Sequence, residues 1–253
     1  MDKKEIKKLY NSKVNLLKKY NESYFDKNKS IVSDKEYDEI KKEVLYLEKN
    51  FSYLVSKHSP SQIVGFKPSK NFKKSLHKIP MLSLGNAFSE EDLINFEKKI
   101  KNYLSIRNDF KILYSAEPKI DGISASLTFK DGKFHKGLSR GDGKEGEDIT
   151  DNLKTIKDIP KKISHKDFPE EIDIRRQVFI QNSDFKSLNE KFANPRNAAS
   201  GSLRQKNPEE TKKIPLNFIA YTFGYESGLK VNNQFEFLKK LSEWGFKTTP
   251  LNK

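Results

Sequence analysis

The first 58 residues show the 3.6-residue hydrophobic repeat of amphipathic helices. Apolar side chains recur at Ile6, Tyr10, Val14, Leu17 and Tyr20, and a second series runs from Tyr37 to Phe51. Ser33 and Glu36 form the Ser-x-x-Glu capping box that starts a helix. The pattern therefore predicts two helices that bury their apolar stripes against each other, followed by a linker that ends near residue 68.

Beyond the linker, the pattern changes from helical to alternating. A helix is expected from Ser89, with apolar residues at Leu93, Phe96, Ile100 and Tyr103. From Ile123 the period becomes two, and Asp131-Gly132 is typical of a hairpin turn. Further strands are predicted over residues 172–180 and 216–223, and a helix over 235–244. We therefore expect an α+β fold, with a helical module at 1–68 and a mixed, mainly antiparallel-sheet domain at 69–253.

The composition excludes several classes of protein. The 253 residues include no cysteine, so neither a disulfide nor a thiolate metal site can form. No apolar run approaches the ~20 residues of a membrane span, and the first residues lack the apolar region of a signal peptide. We expect a cytoplasmic monomer without a membrane partner.

The formal net charge of +14 is compatible with nucleic-acid binding. A lysine-biased composition on solvated faces would give the same excess, so charge alone leaves both interpretations open. Arginine is more informative because it is scarce. All arginines except Arg107 lie in the second half of the chain, namely Arg140, Arg175, Arg176, Arg196 and Arg204. Where lysine otherwise supplies the positive charge, arginine suggests planar, bidentate contacts to phosphate or carboxylate.

One lysine stands between two carboxylates in residues 115–122, Ser-Ala-Glu-Pro-Lys-Ile-Asp-Gly. In an extended strand, Glu117, Lys119 and Asp121 would share one face, and Gly122 would let the backbone turn or approach a ligand. A nucleophilic lysine must be neutral, and carboxylates alone favour its charged form. Spacing by itself therefore favours an ordinary surface lysine.

The surrounding motifs change this interpretation. Residues 119–122, Lys-Ile-Asp-Gly, resemble the Lys-x-Asp-Gly signature of the nucleotidyltransferases that carry AMP or GMP on lysine. Four further blocks occur in the order typical of bacterial NAD-dependent DNA ligases: Ser-Asp-Lys-Glu-Tyr-Asp at 33–38, His-Lys-Ile-Pro-Met-Leu-Ser-Leu at 77–84, Arg-Gly-Asp-Gly from 140 with Gly-Glu-Asp-Ile-Thr at 146–150, and Phe-Ala-Asn-Pro-Arg-Asn-Ala-Ala-Ser-Gly-Ser-Leu-Arg-Gln at 192–205. Nearly the whole chain is similar to this family.

The resemblance implies a nucleotidyltransferase fold, related to the ATP-grasp-like ligases, and a three-step reaction. Lys119 would attack the adenylyl phosphorus of NAD and release nicotinamide mononucleotide. The AMP would then pass to the 5′-phosphate of a nick in double-stranded DNA, and the 3′-hydroxyl would displace it. Mg²⁺ is the expected metal. Asp121 would lie near the ribose or the metal, and no residue of the chain is identified as a certain metal ligand.

The resemblance also implies a set of binding residues. The nicotinamide mononucleotide half would meet Tyr24, Asp34, Tyr37 and Asp38, although a core role is a serious alternative for Tyr37. The adenine pocket would be lined by Ser83, Leu84 and Glu117. Phosphate or DNA would be contacted by Arg140, Arg196 and Arg204.

Two departures from the family pattern bear on activity. Residues 175–177 are Arg-Arg-Gln where the family has Arg-Gly-Glu, so Gln177 supplies an amide at the position of a sugar- or metal-facing carboxylate. Arg176 falls on the apolar face of its strand, and a charge there is costly unless it finds water or a partner. We hypothesise that the pair lowers activity and stability, and that Arg176→Gly with Gln177→Glu restores both.

The second departure is at the C-terminus. The family's domain continues to a strand with another essential lysine, which this chain does not contain. We therefore expect a C-terminally incomplete adenylation domain that does not seal nicks alone. The alternative is a non-catalytic remnant that binds nucleotide or DNA. An ATP-dependent ligase is disfavoured because it would have no use for the N-terminal module.

Overall fold

The computed structural model describes residues 2–25, 32–56, 59, 72–83, 85–188, 192 and 194–249. Within these residues the fold is α+β, as the sequence predicts, with helices first and antiparallel sheet after them. The described helices include none that combines the length and apolar character needed to cross a membrane.

The N-terminal module consists of two packed helices, α1 (Lys3–Phe25) and α2 (Asp34–Asn50), and a short 3-10 turn at Ser52–Leu54. Their apolar stripes form one core, to which Ile6, Tyr10, Val14, Leu17, Val44, Leu47 and Leu54 contribute. The predicted capping box is confirmed, because the Ser33 hydroxyl accepts from the Glu36 amide while the Glu36 carboxylate accepts from Ser33.

The remaining elements follow in the order β1 (Lys74–Leu76), α3 (Glu90–Leu104), β2 (Ile123–Lys130), β3 (Lys133–Ser139), β4 (Glu145–Glu147), α4 (Thr150–Lys154), β5 (Glu171–Phe179), α5 (Asn182–Phe185), α6 (Pro195–Leu203), α7 (Pro208–Lys212), β6 (Asn217–Glu226) and α8 (Gln234–Glu243). The main sheet has the order β3-β2-β5-β6, with every neighbouring pair antiparallel. β1 and β4 form a separate antiparallel pair.

The two faces of the main sheet differ in chemistry. Ala125, Leu127 and Phe129 of β2 are fully buried in a core that includes α8 and the single tryptophan, Trp244. The opposite face carries Ser124, Thr128, Asp173, Arg175 and Gln177. Because strand side chains alternate, the period-two pattern that buries one face also displays this polar set on the other.

The region before β2 departs from expectation. Ser89 caps α3 as predicted, but Leu93, Phe96 and Tyr103 of its apolar stripe are exposed, Tyr103 to 88%. Residues 105–122 form neither helix nor strand, so residues 115–121 do not form the extended strand considered for them. A strand needs a neighbour for its backbone hydrogen bonds, and none of the described strands pairs with these residues.

Candidate active site

The Lys-Ile-Asp-Gly segment lies at the entrance to β2. Gly122 is packed so tightly against β5 that a Cβ atom would come within 2.3 Å of the Val178 carbonyl oxygen. Lys119 and Asp121 are exposed, and Glu117 is half-buried. The glycine is therefore required by close backbone approach, and the nucleophile candidate faces solvent.

Glu117 is fixed by a residue that the sequence did not single out. Gln234 Nε2, at the start of α8, donates to Glu117 Oε1 at 2.9 Å and to the Tyr221 carbonyl oxygen at 2.5 Å. The Ser115 hydroxyl donates to the same Glu117 oxygen at 3.3 Å. One carboxylate oxygen thus receives two donors, which positions the group predicted to face adenine.

One arginine contacts the Lys-Ile-Asp-Gly segment, and two others contact residues of the predicted block 77–84. Arg196 Nη1 lies 3.1 Å from Asp121 Oδ1, and Arg140 Nη1 donates to Ser83 Oγ at 3.4 Å. Burial, reinforced by the positive charge of nearby Arg196, lowers the pKa of Arg140. Burial also lowers the pKa of Arg175, whose Nη2 donates to the Ile79 carbonyl oxygen at 2.5 Å. Guanidinium groups desolvated together would be stabilised by an anionic ligand such as a phosphate.

The polar face of the sheet continues from this cluster to a small cleft of about 110 Å³ lined by residues of β1, β2, β3 and β5. Thr128 Oγ1 donates to the buried Asp173 carboxylate at 2.6 Å. His77 Nε2 lies 3.2 Å from the Arg140 carbonyl oxygen, and burial lowers the pKa of His77. Residues 77–83 of the predicted block therefore lie beside the Arg140 loop.

The helical module carries the residues that the resemblance assigns to nicotinamide mononucleotide. Tyr37 is half-buried against the module's core and donates to Asn21 Oδ1 at 3.0 Å, which favours the core role considered for it. Asp38 Oδ2 accepts from Asn86 Nδ2 at 2.6 Å, so α2 is linked to the segment that carries Ser83. The side chains of Tyr24 and Asp34, and the whole of Leu84, lie outside the described residues.

Two of the arginines noted in the sequence, Arg204 and Arg176, contact other parts of the protein and not the Lys119 segment. Arg204 Nε contacts the fully buried Glu147 carboxylate of β4 at 3.0 Å. Arg176 lies on the apolar face as predicted and is fully buried between the rings of Phe218 and Phe246, with 3.8 Å from its guanidinium carbon to each ring centroid. None of its guanidinium nitrogens has a hydrogen-bond partner among the described residues, and burial lowers its pKa well below the usual arginine value.

The geometry agrees with a comparison against known families. Residues 69–253 match the model of the NAD-dependent DNA ligase adenylation domain. The chain belongs to the NAD-dependent DNA ligase family. Residues 3–65 of this ligase-family chain also match a DNA ligase-like, N-terminal NAD⁺-binding domain.

Curated DNA ligases are similar along the whole chain. The DNA ligase of Pelagibacter ubique is 62% identical over 253 residues, which are 100% of this chain and 37% of that protein. The DNA ligase of Parvibaculum lavamentivorans is 42% identical over 243 residues, 93% of this chain and 34% of its own length. The DNA ligase of Rickettsia canadensis is 42% identical over 261 aligned positions, which cover 100% of this chain and 37% of that protein. The chain thus spans about a third of the length of these ligases.

Two features of this ligase site were missed from the sequence. Tyr221 belongs to the strand predicted over 216–223 and Gln234 lies one residue before the helix predicted over 235–244, but no local motif distinguishes either from other polar residues. Arg175 was grouped with the scarce arginines and given no role in the site, although its spacing of two from Gln177 places both side chains on the polar face of the sheet.

The side chains of this ligase-family chain fit a Mg²⁺ ion that is held mainly by the phosphates of a bound substrate. Among the described residues no three His, Asp or Glu side chains converge as a metal cage. Asp121 is a single carboxylate, 72% exposed and adjacent to Arg196. Mg²⁺ usually keeps several waters and is held by one or two carboxylates plus substrate phosphates, so Asp121 is the residue that would hold it.

Proposed function

We propose that this chain carries out the adenylation step of an NAD-dependent DNA ligase, in which Lys119 takes AMP from NAD. The observation that carries the proposal is the convergence of the Lys119 segment, the Gln234-fixed Glu117 and the arginines Arg140 and Arg196. The family to which the chain belongs supports NAD as the substrate, and the bacterial cytoplasm as the place where NAD and chromosomal DNA meet.

In the proposed step, Lys119 Nζ attacks the adenylyl phosphorus of NAD. A phosphorus–nitrogen bond forms, the bond from that phosphorus to the bridging oxygen breaks, and nicotinamide mononucleotide leaves with that oxygen. The Nζ proton passes to solvent, to which Lys119 is exposed. Phosphoryl transfer depends mainly on alignment and charge stabilisation, which Arg140 and Arg196 would supply to the phosphates.

The remaining residues would bind and orient. Glu117 would accept from the adenine amino group, since Gln234 and Ser115 hold one of its oxygens and leave the other available. Asp121 would meet the ribose or Mg²⁺, which supplies charge neutralisation of the phosphates when bound. Asp38 and Tyr37 would serve the nicotinamide mononucleotide half, and for this Asp38 would exchange its contact with Asn86.

Transfer of the AMP to the 5′-phosphate of nicked double-stranded DNA, and sealing by the 3′-hydroxyl, are proposed for the whole ligase. Arg204 and the lysine-rich surface would contribute sequence-independent contacts to the DNA backbone. That the chain acts as a monomer stays a prediction.

The test is the intact mass of the purified chain after incubation with NAD and Mg²⁺. We expect the mass of one added adenylyl group on the parent and on Lys111→Ala, a matched variant at an exposed lysine of the same segment. Lys119→Ala should gain nothing. A folded parent that stays unmodified would instead favour the second candidate, a chain that binds nucleotide or DNA without transfer, with which the solvent exposure of Lys119 agrees.

A further inference from the structure

Gln177 holds the lysine-bearing segment through its backbone. It lies opposite Ser124 in the β2–β5 ladder, where the Ser124 hydroxyl donates to Gln177 Oε1 at 3.0 Å. Gln177 Nε2 donates to the Gly122 carbonyl oxygen at 3.1 Å. One amide therefore engages both the last residue of Lys-Ile-Asp-Gly and the second residue of β2.

The chemistry of the partners fixes the orientation of this amide. A backbone carbonyl can only accept, so the atom facing Gly122 must be the nitrogen and the atom facing Ser124 must be the oxygen. An ionised glutamate accepts only, and at this position it would place a carboxylate oxygen against the Gly122 carbonyl oxygen. The contact to Gly122 is available to glutamine and is lost with glutamate.

Gly122 is packed tightly against β5, so a contact to its carbonyl oxygen also restrains the residues that precede it. Gly122 is buried, and its Cα lies so close to β5 that a Cβ would approach Val178 O at 2.3 Å and Gln177 Cγ at 3.1 Å. Residues 105–122 form neither helix nor strand, so no ladder of their own holds them. The amide that ties Gly122 to β5 therefore restrains the end of the segment that follows Lys119, beside the contacts of Asp121 to Arg196 and of Glu117 to Gln234.

We infer that Gln177 is a positioning residue, whose amide clamps the Gly122 backbone to β5 and thereby orients Lys119 for attack. The inference rests on the proposed adenylation by Lys119. In this role Gln177 contacts other residues of the protein and not the substrate. Glutamine in place of the family's glutamate therefore gives this position a different function. Gln177 acts through Gly122 and does not itself touch the reacting atoms.

The test combines local hydrogen exchange with adenylation kinetics in Gln177→Met, which keeps the length of the side chain and removes both hydrogen bonds. Loss of the clamp should raise amide exchange in residues 119–124 about fivefold, and should lower the saturating rate of lysyl-AMP formation by a similar factor. The NAD concentration for half-saturation should stay within twofold, because no substrate contact is removed. Gln181→Met, at an exposed glutamine just beyond β5, is the matched control and should behave as the parent.

Gln177→Glu separates the two hydrogen bonds and covers the case in which Gln177→Met fails to fold. The new carboxylate can still accept from Ser124 but cannot donate to Gly122, so exchange in residues 119–124 should again rise several-fold at neutral pH. Exchange within twofold of the parent in both variants, or in Gln177→Glu alone if the other is unfolded, would overturn the inference.

The two proposals fail differently. If the parent forms no lysyl-AMP while both variants loosen residues 119–124, the clamp stands and the adenylation proposal falls. If the parent is adenylated and Gln177→Met is adenylated at the same rate with unchanged exchange, the adenylation proposal stands and the clamp falls.

Discussion

The sheet region and the segment before it use their large apolar residues in opposite ways. Leu127 and Phe129 of the sheet are fully buried, whereas Leu113 and Tyr103 of the preceding segment are 96% and 88% exposed. The sheet region has its own core, but the segment that bears Lys119 is positioned by individual polar contacts to Gln234, Arg196 and Gln177. The scaffold and the nucleophile are therefore stabilised by different forces, and substitutions should separate them.

The largest expected difference comes from one substitution made in each region. Phe129→Ala removes a fully buried ring with three aromatic neighbours and should lower the free energy of unfolding by about 3–5 kcal/mol. Phe96→Ala in α3, where the ring is half exposed, should change it by less than about 1 kcal/mol. Chemical denaturation measures both, and equal losses would show that the preceding segment shares the core after all.

The next effect concerns the buried charge of Arg176. Its desolvation costs several kcal/mol, and stacking on the two rings offsets part of this cost, by about 2 kcal/mol for each ring. Arg176→Met, which fills most of the volume, should therefore stabilise the chain by about 1–2 kcal/mol in denaturant titrations. A loss of stability would mean that the stack outweighs the desolvation.

The same residue predicts a pH dependence. Burial lowers the folded-state pKa of Arg176, so the native state binds fewer protons than the unfolded state between that pKa and the ordinary arginine value. The penalty is complete below the lowered pKa and declines as the pH rises through it. The advantage of Arg176→Met should accordingly shrink at alkaline pH, and an advantage that is constant with pH would contradict a desolvated cation.

A smaller effect is expected at Gln234, which links α8 to Glu117. Gln234→Leu removes the donor to Glu117 and to the Tyr221 carbonyl but leaves the core untouched. We expect a loss of about 1 kcal/mol in NAD affinity, near fivefold, because Glu117 loses its orientation. NAD titration measures it, with Gln205→Leu at an exposed site as the control. Equal affinity in parent and variant would remove Gln234 from the site.

The smallest effect is the titration of His77. Burial lowers the folded-state pKa of His77. The contribution of His77 to the free energy of unfolding is therefore fully present above the ordinary histidine pKa of about 6.5, and it is lost as the pH falls through the lowered value. His77→Gln should flatten this acid limb of the melting temperature. An unchanged limb would assign the acid sensitivity to other groups.

How far the sequence predicts the molecule depends on whether the deciding interaction is local. The capping box of α2 and the Asp131-Gly132 turn are local, and both are confirmed. Arg176 could be placed on the apolar face by parity alone, but its position between Phe218 and Phe246 depends on two other elements. The helical repeat of α3 correctly predicted a helix and wrongly implied a buried stripe, since a repeat reports periodicity and cannot supply the surface to pack against.

The site divides in the same way. The motif identified Lys119 and Asp121, while the amide contacts of Gln177 and Gln234 join residues 55 and 117 positions apart, so no local pattern could show them. The structure also divides the pair of departures: Arg176 has unpaired buried nitrogens, as the hypothesis of lower stability requires, whereas the Gln177 amide is satisfied. Relief of the buried charge in the double reversion can thus come only from Arg176, and the clamp predicts a loss of activity from Gln177→Glu instead of the hypothesised gain.

The single tryptophan gives the molecule a built-in optical reporter. Trp244 is 3% exposed, with the ring of Phe168 at 4.7 Å and that of Phe237 at 6.4 Å, all within the core of the sheet region. Its intrinsic fluorescence therefore follows the melting of that core and does not respond to α1 or α2. The far-ultraviolet circular dichroism, in contrast, includes a large contribution from those two helices, the longest that the structure describes. Coincident transitions in the two signals would mark one cooperative unit, and separate transitions would show that the helical module and the sheet region unfold independently.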